Sequence, residues 1–315
     1  MKKKKPCIAL IADEFTTSGL APDADILPLT PFDWRWKLRL FKPDFLFVES
    51  AWRGYRNSWQ GKIASYENKP DNNNELKKIV EYCKRKKIKT VFWNKEDPVH
   101  FSNFINVAKS FDYIFTTDEN MVDEYKKYVT HDNIYVLSFA ANPQIHNPIK
   151  IFDKRIDKYC FPGTYYQYKY EDRKVRMAML FDLALKNSDL VIYDRVNDLD
   201  SPYYRYPLEY QAYIEGNLKQ SEIQLAYKGY KVMLNVNIVT DSETMFSRRI
   251  YESLASLTPV VSTCSTGVEK VFNNLVVASD DKKVLEEEMI RLKDKDYYEK
   301  KALQGMRLVL NEHTY

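Results

Sequence analysis

The feature that most constrains the fold of this chain is a repeated alternation of short apolar runs with charged stretches of helical spacing. In the first half the apolar runs cover residues 8–12, 45–48, 90–93, 113–115 and 134–139. Each run is continuously apolar, which is typical of parallel strands that helices bury on both faces. The first half of the chain therefore predicts a doubly wound α/β unit.

The alternation stops near the middle of the chain and then starts again. Residues 142–158 hold two prolines and mixed charge without a clear period, and they predict a linker. From residue 159 onwards, apolar runs again alternate with helical segments. We therefore predict an α/β chain of two domains, residues 1–145 and residues 146–315, each with its own parallel sheet.

Composition narrows the class of protein. The 315 residues are 44% hydrophobic, with 48 basic against 44 acidic side chains, which excludes intrinsic disorder. The net charge of +4 is too small to predict a nucleic-acid partner. The four cysteines have no zinc-ligand or redox spacing, and no apolar run reaches the roughly 20 residues of a membrane-spanning helix. We predict a cytoplasmic protein with at most peripheral membrane contact, through the basic residues 1–5.

Ligands of doubly wound sheets bind outside the carboxyl ends of the strands, so the residues that follow each strand are the candidates for a site. After the third predicted strand come Glu96, Asp97 and His100, which can donate or accept a proton. An alternative is purely structural, with Asp97 capping a helix and Pro98 in its first turn.

Two tryptophans mark the loop after the second predicted strand. Glu49 ends this strand, and Trp52, Arg53 and Trp59 follow it. Rings in such a loop can stack on a sugar or a base while the arginine meets a charge, or they can form a lid over the core. The first strand ends in Asp13 and Glu14, which begin a polar segment predicted to be a flexible, ligand-facing loop.

The strand ends of the second half offer groups for an anion. Gly163 and Thr164 follow one strand, where a glycine lets the backbone approach a phosphate, although no Gly-x-Gly-x-x-Gly fingerprint is present. Asp194 and Arg195 follow another strand. They can form hydrogen bonds with a nucleobase, or they can form a salt bridge with each other.

Residues 240–263 carry the strongest signal. A helix is predicted to begin near Thr244, with Arg248 and Arg249 one turn in and Glu252 a further turn on. Arg248 and Glu252 are four residues apart, so an ordinary ion pair on a helix face is the alternative to a ligand site.

This segment resembles the nucleotide-sugar motif of GT-B glycosyltransferases, especially the group that includes the spore maturation protein CgeB. The matching pattern is Thr-Asp-Ser-x-Thr-Met-x-x-Arg-Arg-x-x-Glu-x-Leu-Ala-Ser, followed by Thr-Pro-Val-x-Ser. Further stretches are similar at residues 42–61, 90–101, 161–166, 192–195 and 226–237.

The resemblance implies a GT-B fold, in which two Rossmann-like domains face a central cleft. It also implies transfer of a sugar from a nucleoside diphosphate donor, with UDP as the expected nucleotide, to a hydroxyl of a glycan or polyol such as a cell-envelope or spore-surface acceptor. It implies no prosthetic group and no metal. Glu252 would hold the ribose, and Arg248 or Arg249 the diphosphate. The other residues implied for the donor are Gly163, Thr164, Tyr193, Arg195, Met245, Ser265, Thr266 and Gly267. Those implied for the acceptor are Asp13, Glu14, Glu49, Trp52, Arg53 and Trp59, with Glu96, Asp97 and His100 beside the sugar.

Three departures from the family pattern keep other functions open. Thr244 stands where the wider retaining families have the first of two glutamates, Leu257 replaces a turn glycine, and the chain ends where the family continues with more helix. A leucine is costly in a left-handed turn, so the turn is expected to differ. Two alternatives remain: a module that binds a nucleotide or a glycan without turnover, and a sugar-nucleotide epimerase of the same fold.

Overall fold

The computed structural model describes residues 4–199 and 201–315, so Met1 to Lys3 of the basic start lie outside the described residues. The chain divides into two compact units. The first unit runs up to Ser138 and includes Tyr315, and the second is Phe139–Thr314. Each unit contains one parallel sheet.

Within the described part of the first unit, six parallel strands form a sheet in the order β2-β1-β3-β4-β5-β6. The strands are β1 (Cys7–Ile11), β2 (Asp25–Pro28), β3 (Phe45–Glu49), β4 (Lys89–Asn94), β5 (Tyr113–Thr116) and β6 (Ile134–Val136). The helices are α1 (Glu14–Leu20), α2 (Trp34–Phe41), α3 (Asn74–Arg85), α4 (Phe101–Ala108) and α5 (Val122–Lys126).

Apolar spacing explains most of these elements. In α3 the predicted apolar face of Leu76, Ile79, Val80 and Cys83 is buried, as expected for a helix packed on a sheet. The segment after β1 differs from the prediction: it is the helix α1 and not a loop, with Thr16 and Gly19 buried. The sequence does not predict β2 because this edge strand pairs only with β1 and is just four residues long.

In the second unit, five parallel strands among residues 139–199 and 201–314 form a sheet in the order β11-β10-β9-β7-β8. The strands are β7 (Ile156–Pro162), β8 (Leu190–Tyr193), β9 (Tyr230–Asn235), β10 (Val260–Ser262) and β11 (Val277–Ala278). The helices are α6 (Glu171–Asn187), α7 (Leu208–Gln211), α8 (Gln224–Gly229), α9 (Arg249–Ala255), α10 (Thr266–Phe272), α11 (Lys282–Arg291) and α12 (Lys295–Glu312).

The first five strands of the first sheet and the five strands of the second sheet follow the same order. In the first unit β1 lies between β2 and β3, and in the second unit β7 lies between β8 and β9. The chain therefore winds in one direction from the first strand and then in the other. This reversal opens a crevice at the carboxyl ends of β1 and β3, and another at the carboxyl ends of β7 and β9.

Three details of the second unit correct the sequence analysis. The predicted linker is partly folded into this unit, because Asn142 and His146 are buried and β7 begins at Ile156. The helix expected near Thr244 begins only at Arg249. The preceding loop is held instead by the Ser242 hydroxyl, which accepts from the Met245 N–H at 2.9 Å.

Two further features of the second unit are the turn that follows α9 and the last helix, α12. Leu257 adopts a φ of +62°, so the left-handed turn forms although a leucine occupies it. The helix α12, which is 18 residues long, packs on α9. Across the described residues, no helix combines the length and apolarity needed to cross a membrane.

Candidate functional site

Arg249 spans the crevice between β7 and β9 in the second unit. Its Nη1 donates to Asn235 Oδ1 at 3.1 Å, at the end of β9, and its Nη2 donates to the carbonyl oxygen of Pro162, at the end of β7. The guanidinium also lies 4.8 Å from the centroid of the Phe161 ring. The first residue of α9 is therefore fixed at the point where this parallel sheet binds ligands.

Two further arginines meet at the loop that follows β7. Arg173 donates to the Thr164 carbonyl at 3.1 Å, and Arg195 donates to the Thr164 hydroxyl at 3.3 Å. Within residues 4–199 and 201–315, no carboxylate forms a salt bridge with Arg173, Arg195 or Arg249. We call these three side chains the arginine cluster.

The arginine cluster is electrostatically unfavourable without an anion. The pKa of Arg249 is lowered to about 10, chiefly by burial, and the charges of Arg195 and Arg173 contribute to this lowering because each like charge opposes protonation of its neighbours. Burial likewise lowers the pKa of Arg173. Arg173 Nε and Nη1 are buried and have no hydrogen-bond partner among the described residues. An anion at this place would supply the missing acceptors and the missing negative charge.

Gly163 lets the backbone fit beside the arginine cluster. A Cβ atom at this position would lie 2.5 Å from the Phe161 ring and 3.2 Å from Arg249 Nη2. The Tyr206 hydroxyl donates to the Gly163 carbonyl at 3.0 Å and holds the loop from its other side. The predicted role of Gly163 and Thr164 as a close backbone approach thus has a steric basis, although their ligand stays a prediction.

Glu252 lies one turn into α9 and is 1% exposed. Its Oε2 accepts from the Tyr227 hydroxyl at 2.6 Å, while Oε1 has no hydrogen-bond partner in the described part of the chain. Arg248 Nε lies 3.9 Å from that oxygen, so the alternative of a helical ion pair is present as a long contact. A buried carboxylate oxygen without a donor is costly, which makes it a candidate for a ligand hydroxyl.

The remaining residues implied for the donor form the surrounding loops. Gly267 packs against the carbonyls of Ser242 and Glu243, where a Cβ atom would lie 2.9 Å from each oxygen. Ser265 accepts from the Val268 N–H and caps α10. The other placements are Met245 in the loop before α9, Thr266 bonded to the Thr240 carbonyl, and Tyr193 bonded to the Tyr230 hydroxyl at 2.7 Å.

In the first unit, three charged groups meet at the carboxyl ends of β1, β3 and β4. Lys95 Nζ lies 3.1 Å from Glu49 Oε1 and 3.4 Å from Asp13 Oδ2. The other Asp13 oxygen accepts from the N–H groups of Arg53 and Gly54 at 3.2 and 2.6 Å. Glu49 also accepts from the Asp13 N–H at 2.6 Å and from the Thr16 hydroxyl. This network ties three loops together at the crevice of the first sheet.

Two residues predicted to meet an acceptor are inside the core instead. Glu49 is 0% exposed, and burial raises its pKa although Lys95 opposes the shift. Trp59 is also 0% exposed and donates through Nε1 to the Leu29 carbonyl at 2.8 Å, so its ring belongs to the lid over the core. Neither side chain presents a surface on which a sugar could stack.

Asp97 is likewise no exposed acid or base. Its carboxylate is 0% exposed and accepts from Asn94 at 2.6 Å, Thr116 at 2.7 Å and Tyr125 at 2.9 Å. Burial raises its pKa to about 7. The capping alternative is wrong too, because α4 begins after His100 and Asp97 bonds side chains of other elements.

The other acceptor-side candidates are accessible. His100 lies edge-on to Trp52, with ring centroids 5.1 Å apart, and both rings are half-buried. Arg53 and Glu14 are exposed, and Glu14 lies in the first turn of α1. Glu96 is half-buried, and its N–H donates to Asn94 Oδ1 at 3.2 Å.

Comparison with known proteins agrees with this architecture. Residues 179–315 match a family model described as Glycosyl transferase-like. The chain is similar to a solved glycosyltransferase from Rickettsia africae ESF-5, with a TM-score of 0.57, 13% identity, and coverage of 99% of this chain and 95% of that chain. An alpha-glucosyltransferase solved with UDP and a 13-mer DNA containing a HMU base gives a TM-score of 0.65 at 11% identity, with coverage of 99% and 96%. The fold is GT-B.

The GT-B fold also occurs in proteins of other activities that are similar to this chain. A putative UDP-N-acetylglucosamine 2-epimerase from Listeria monocytogenes has a TM-score of 0.53 at 11% identity, with coverage of 95% of this chain and 91% of that chain. A search of curated proteins finds no match. The predicted GT-B fold class is thus confirmed, and the Glycosyl transferase-like match covers the region that contains α9 and Glu252.

Three residues of this GT-B site are not predicted from the sequence. His146 falls in the predicted linker, Arg173 is one of several charges at the start of α6, and Tyr227 lies in a short helix far from Glu252 along the chain. Their contacts depend on packing between distant segments. Of the three, Arg173 alone has a sequence signal for a buried role. It stands on the otherwise apolar helix face of Met177 and Leu180, with which it is buried.

Proposed function

We propose that this protein is a glycosyltransferase whose second unit binds a nucleoside diphosphate sugar. The observation that carries the proposal is the arginine cluster around Gly163 and Thr164, which has no carboxylate partner among the described residues. A diphosphate carries the opposite charge and enough oxygen atoms to accept from several guanidinium groups at once.

Glu252 extends this proposal from a phosphate to a nucleotide. A ribose offers vicinal hydroxyls that can donate to a carboxylate, and Glu252 Oε1 lacks a donor. We propose UDP as the nucleotide, supported by the resemblance of residues 240–263 to the nucleotide-sugar motif and by the UDP bound in the alpha-glucosyltransferase of the same fold. During transfer the arginine cluster would stabilise the charge that develops on the departing diphosphate.

The acceptor would be a hydroxyl of a glycan or polyol, and we assign it to the first unit. Trp52 and His100 support this assignment, because they are half-buried neighbours that combine an apolar ring with a group able to accept a proton. Asp13, which follows β1, is also half-buried, but its carboxylate contacts Lys95 and accepts hydrogen bonds from two backbone amides.

The test begins with calorimetric titration of UDP, GDP, ADP and uridine into the full chain, followed by a transfer assay with UDP-sugars and a panel of glycans and polyols. The proposal expects tight binding of one nucleoside diphosphate, much weaker binding of its nucleoside, and an acceptor-dependent product. Binding without any turnover would favour the binding module. Conversion of one UDP-sugar into another without acceptor would favour the epimerase. Absence of nucleotide binding would contradict the glycosyltransferase and the epimerase and would leave only a module that binds a glycan.

A further inference from the structure

A second concave site lies in the second unit, after the end of β8. It is a pocket of about 430 Å³, within the size range of small-molecule sites. Polar and aromatic side chains make up most of its wall, and they include Asp194, Asn197, Asp198, Tyr204, Arg205 and Gln211. The proposed nucleotide site uses none of these side chains.

Asp194 is the buried polar group of this pocket. It is 5% exposed, and one carboxylate oxygen accepts from the Val196 N–H at 3.1 Å. Among residues 4–199 and 201–315, no hydrogen bond reaches the other oxygen. A ligand hydroxyl in the pocket can donate to this oxygen, because a carboxylate oxygen accepts more than one hydrogen bond and bonds to a charged acceptor are strong.

Tyr204 supplies an aromatic face that other rings hold in place. Its ring packs edge-on against Tyr166, with centroids 5.9 Å apart. The turn that carries it is fixed by the Gln167 N–H, which donates to the Tyr203 carbonyl at 2.9 Å, and by the buried Tyr206, which bonds Gly163. The ring is therefore pre-oriented in the pocket wall, which lowers the entropy cost of stacking a ligand on it.

The combination of groups selects one class of ligand. Two carboxylates, Asp194 and Asp198, disfavour an anion, while Arg205 disfavours a simple cation. The polar lining disfavours a wholly apolar ligand. A saccharide has hydroxyls for the carboxylates and amides and an apolar C–H face for a tyrosine ring, so it matches every part of this wall.

We propose that this pocket binds a neutral saccharide, with Tyr204 against its apolar face and with Asp194, Asn197 and Gln211 bonded to its hydroxyls. The saccharide is either a free glycan unit or the sugar of a nucleotide sugar. Arg195 follows Asp194 directly and contacts Thr164, so the pocket borders the arginine cluster and both sources can reach it. The proposal does not require nucleotide binding, because free saccharides fill the pocket alone.

Saturation-transfer NMR on the full chain tests the site with glucose, galactose, N-acetylglucosamine and maltose as free probes, and with UDP-glucose against UDP as the nucleotide pair. The expected result is saturation of at least one free saccharide, or a UDP-glucose affinity that exceeds that of UDP. Either signal should weaken about tenfold in Asp194→Asn and in Tyr204→Ala, because each variant removes one side of the saccharide contact. Asn keeps an oxygen for the Val196 N–H, so Asp194→Asn should fold.

Tyr203→Ala is the matched control, because Tyr203 neighbours Tyr204 in the same turn, is 63% exposed and does not line the pocket. Its binding should equal that of the wild type, and thermal melting should show all variants folded. Either of two results would overturn the proposal. One is absence of signal from every free saccharide together with no gain in affinity from UDP to UDP-glucose, and the other is equal binding in the wild type and Tyr204→Ala. If the chain binds a saccharide but does not bind UDP, the result supports the saccharide pocket and contradicts the proposed nucleotide site.

Discussion

His146 Nε2 lies 3.7 Å from Glu252 Oε1, and neither atom has a hydrogen-bond partner among the described residues. His146 Nδ1 accepts from the Asn142 N–H at 3.0 Å, which assigns the ring proton to Nε2. Burial lowers the pKa of His146, so the ring is neutral near pH 7. A donor and an acceptor thus face each other across a gap too long for a direct bond, and one ribose hydroxyl can accept from the first and donate to the second.

Glu252→Gln should weaken UDP binding by about tenfold or more, because the ribose would lose a hydrogen bond to a charged acceptor. Glutamine keeps an oxygen for the Tyr227 hydroxyl, so the fold should survive. Isothermal titration of UDP measures the effect. Glu269→Gln is the control, since Glu269 is exposed on α10. Equal UDP affinity in Glu252→Gln and the wild type would contradict the ribose role.

Arg195→Ala should weaken UDP binding by about tenfold and leave uridine binding nearly unchanged, because Arg195 belongs to the arginine cluster, to which we assign the diphosphate and not the nucleoside. Arg195 is exposed, so its loss should not unfold the chain. Titrations at low and high salt provide the measurement, since an exposed charge is screened. Arg307→Ala on α12 is the control. A parallel loss of UDP and uridine affinity would place Arg195 elsewhere in the site.

The central strands of this fold can be predicted from the sequence because their burial on both faces leaves continuous apolar runs. Edge elements carry less of this signal: β2 pairs on one side only, and α2 leaves Leu40 and Phe41 exposed. The start of α9 is misplaced for another reason. The Ser242 hydroxyl satisfies the amides of Thr244 and Met245, so the loop does not need the helix that residue spacing suggests.

The sequence predicts candidate site residues where they belong to one contiguous motif. It does not predict them where burial decides the role of a side chain. Arg249 and Glu252 stand in one segment and can be found by resemblance. Glu49 ends β3, and Trp52 and Trp59 follow that strand, yet only Trp52 remains accessible. Whether a side chain at a strand end is buried or accessible depends on which loops and helices cover that end. A single sequence does not reveal how those elements pack.

Lys95→Met should lower the free energy of unfolding by about 3–5 kcal/mol near pH 7, because Glu49 would remain as a buried charge without its partner. Burial already raises the pKa of Glu49, so the loss should shrink as the pH falls and Glu49 takes up a proton. Urea unfolding at several pH values measures this. The double variant Glu49→Gln with Lys95→Met should recover much of the stability; failure to recover would show that Lys95 acts mainly through Asp13.

Asp97→Asn should change the pH dependence of stability. Burial raises the pKa of Asp97 from 3.8 to about 7, so the folded chain keeps a proton that the unfolded chain releases between these values. Its contribution is present below pH 3.8 and is lost as the pH rises through about 7. From about pH 5 to about pH 8, the wild type should therefore lose roughly 2–3 kcal/mol relative to Asp97→Asn. Parallel stability curves, combined with a loss of turnover, would restore Asp97 as a catalytic candidate.

Leu257→Gly should stabilise the chain. Leu257 closes α9 with a φ of +62°, and its N–H donates to the Leu254 carbonyl while the Thr258 N–H donates to the Ser253 carbonyl. Glycine is favoured at such a helix end because a Cβ atom costs about 1–2 kcal/mol in the left-handed region. Leu257→Ala is the matched comparison, since alanine loses the same apolar contacts but keeps the Cβ atom. The free energy of unfolding should be about 1 kcal/mol higher in Leu257→Gly than in Leu257→Ala. A lower value for glycine would show that the turn is not strained by its side chain.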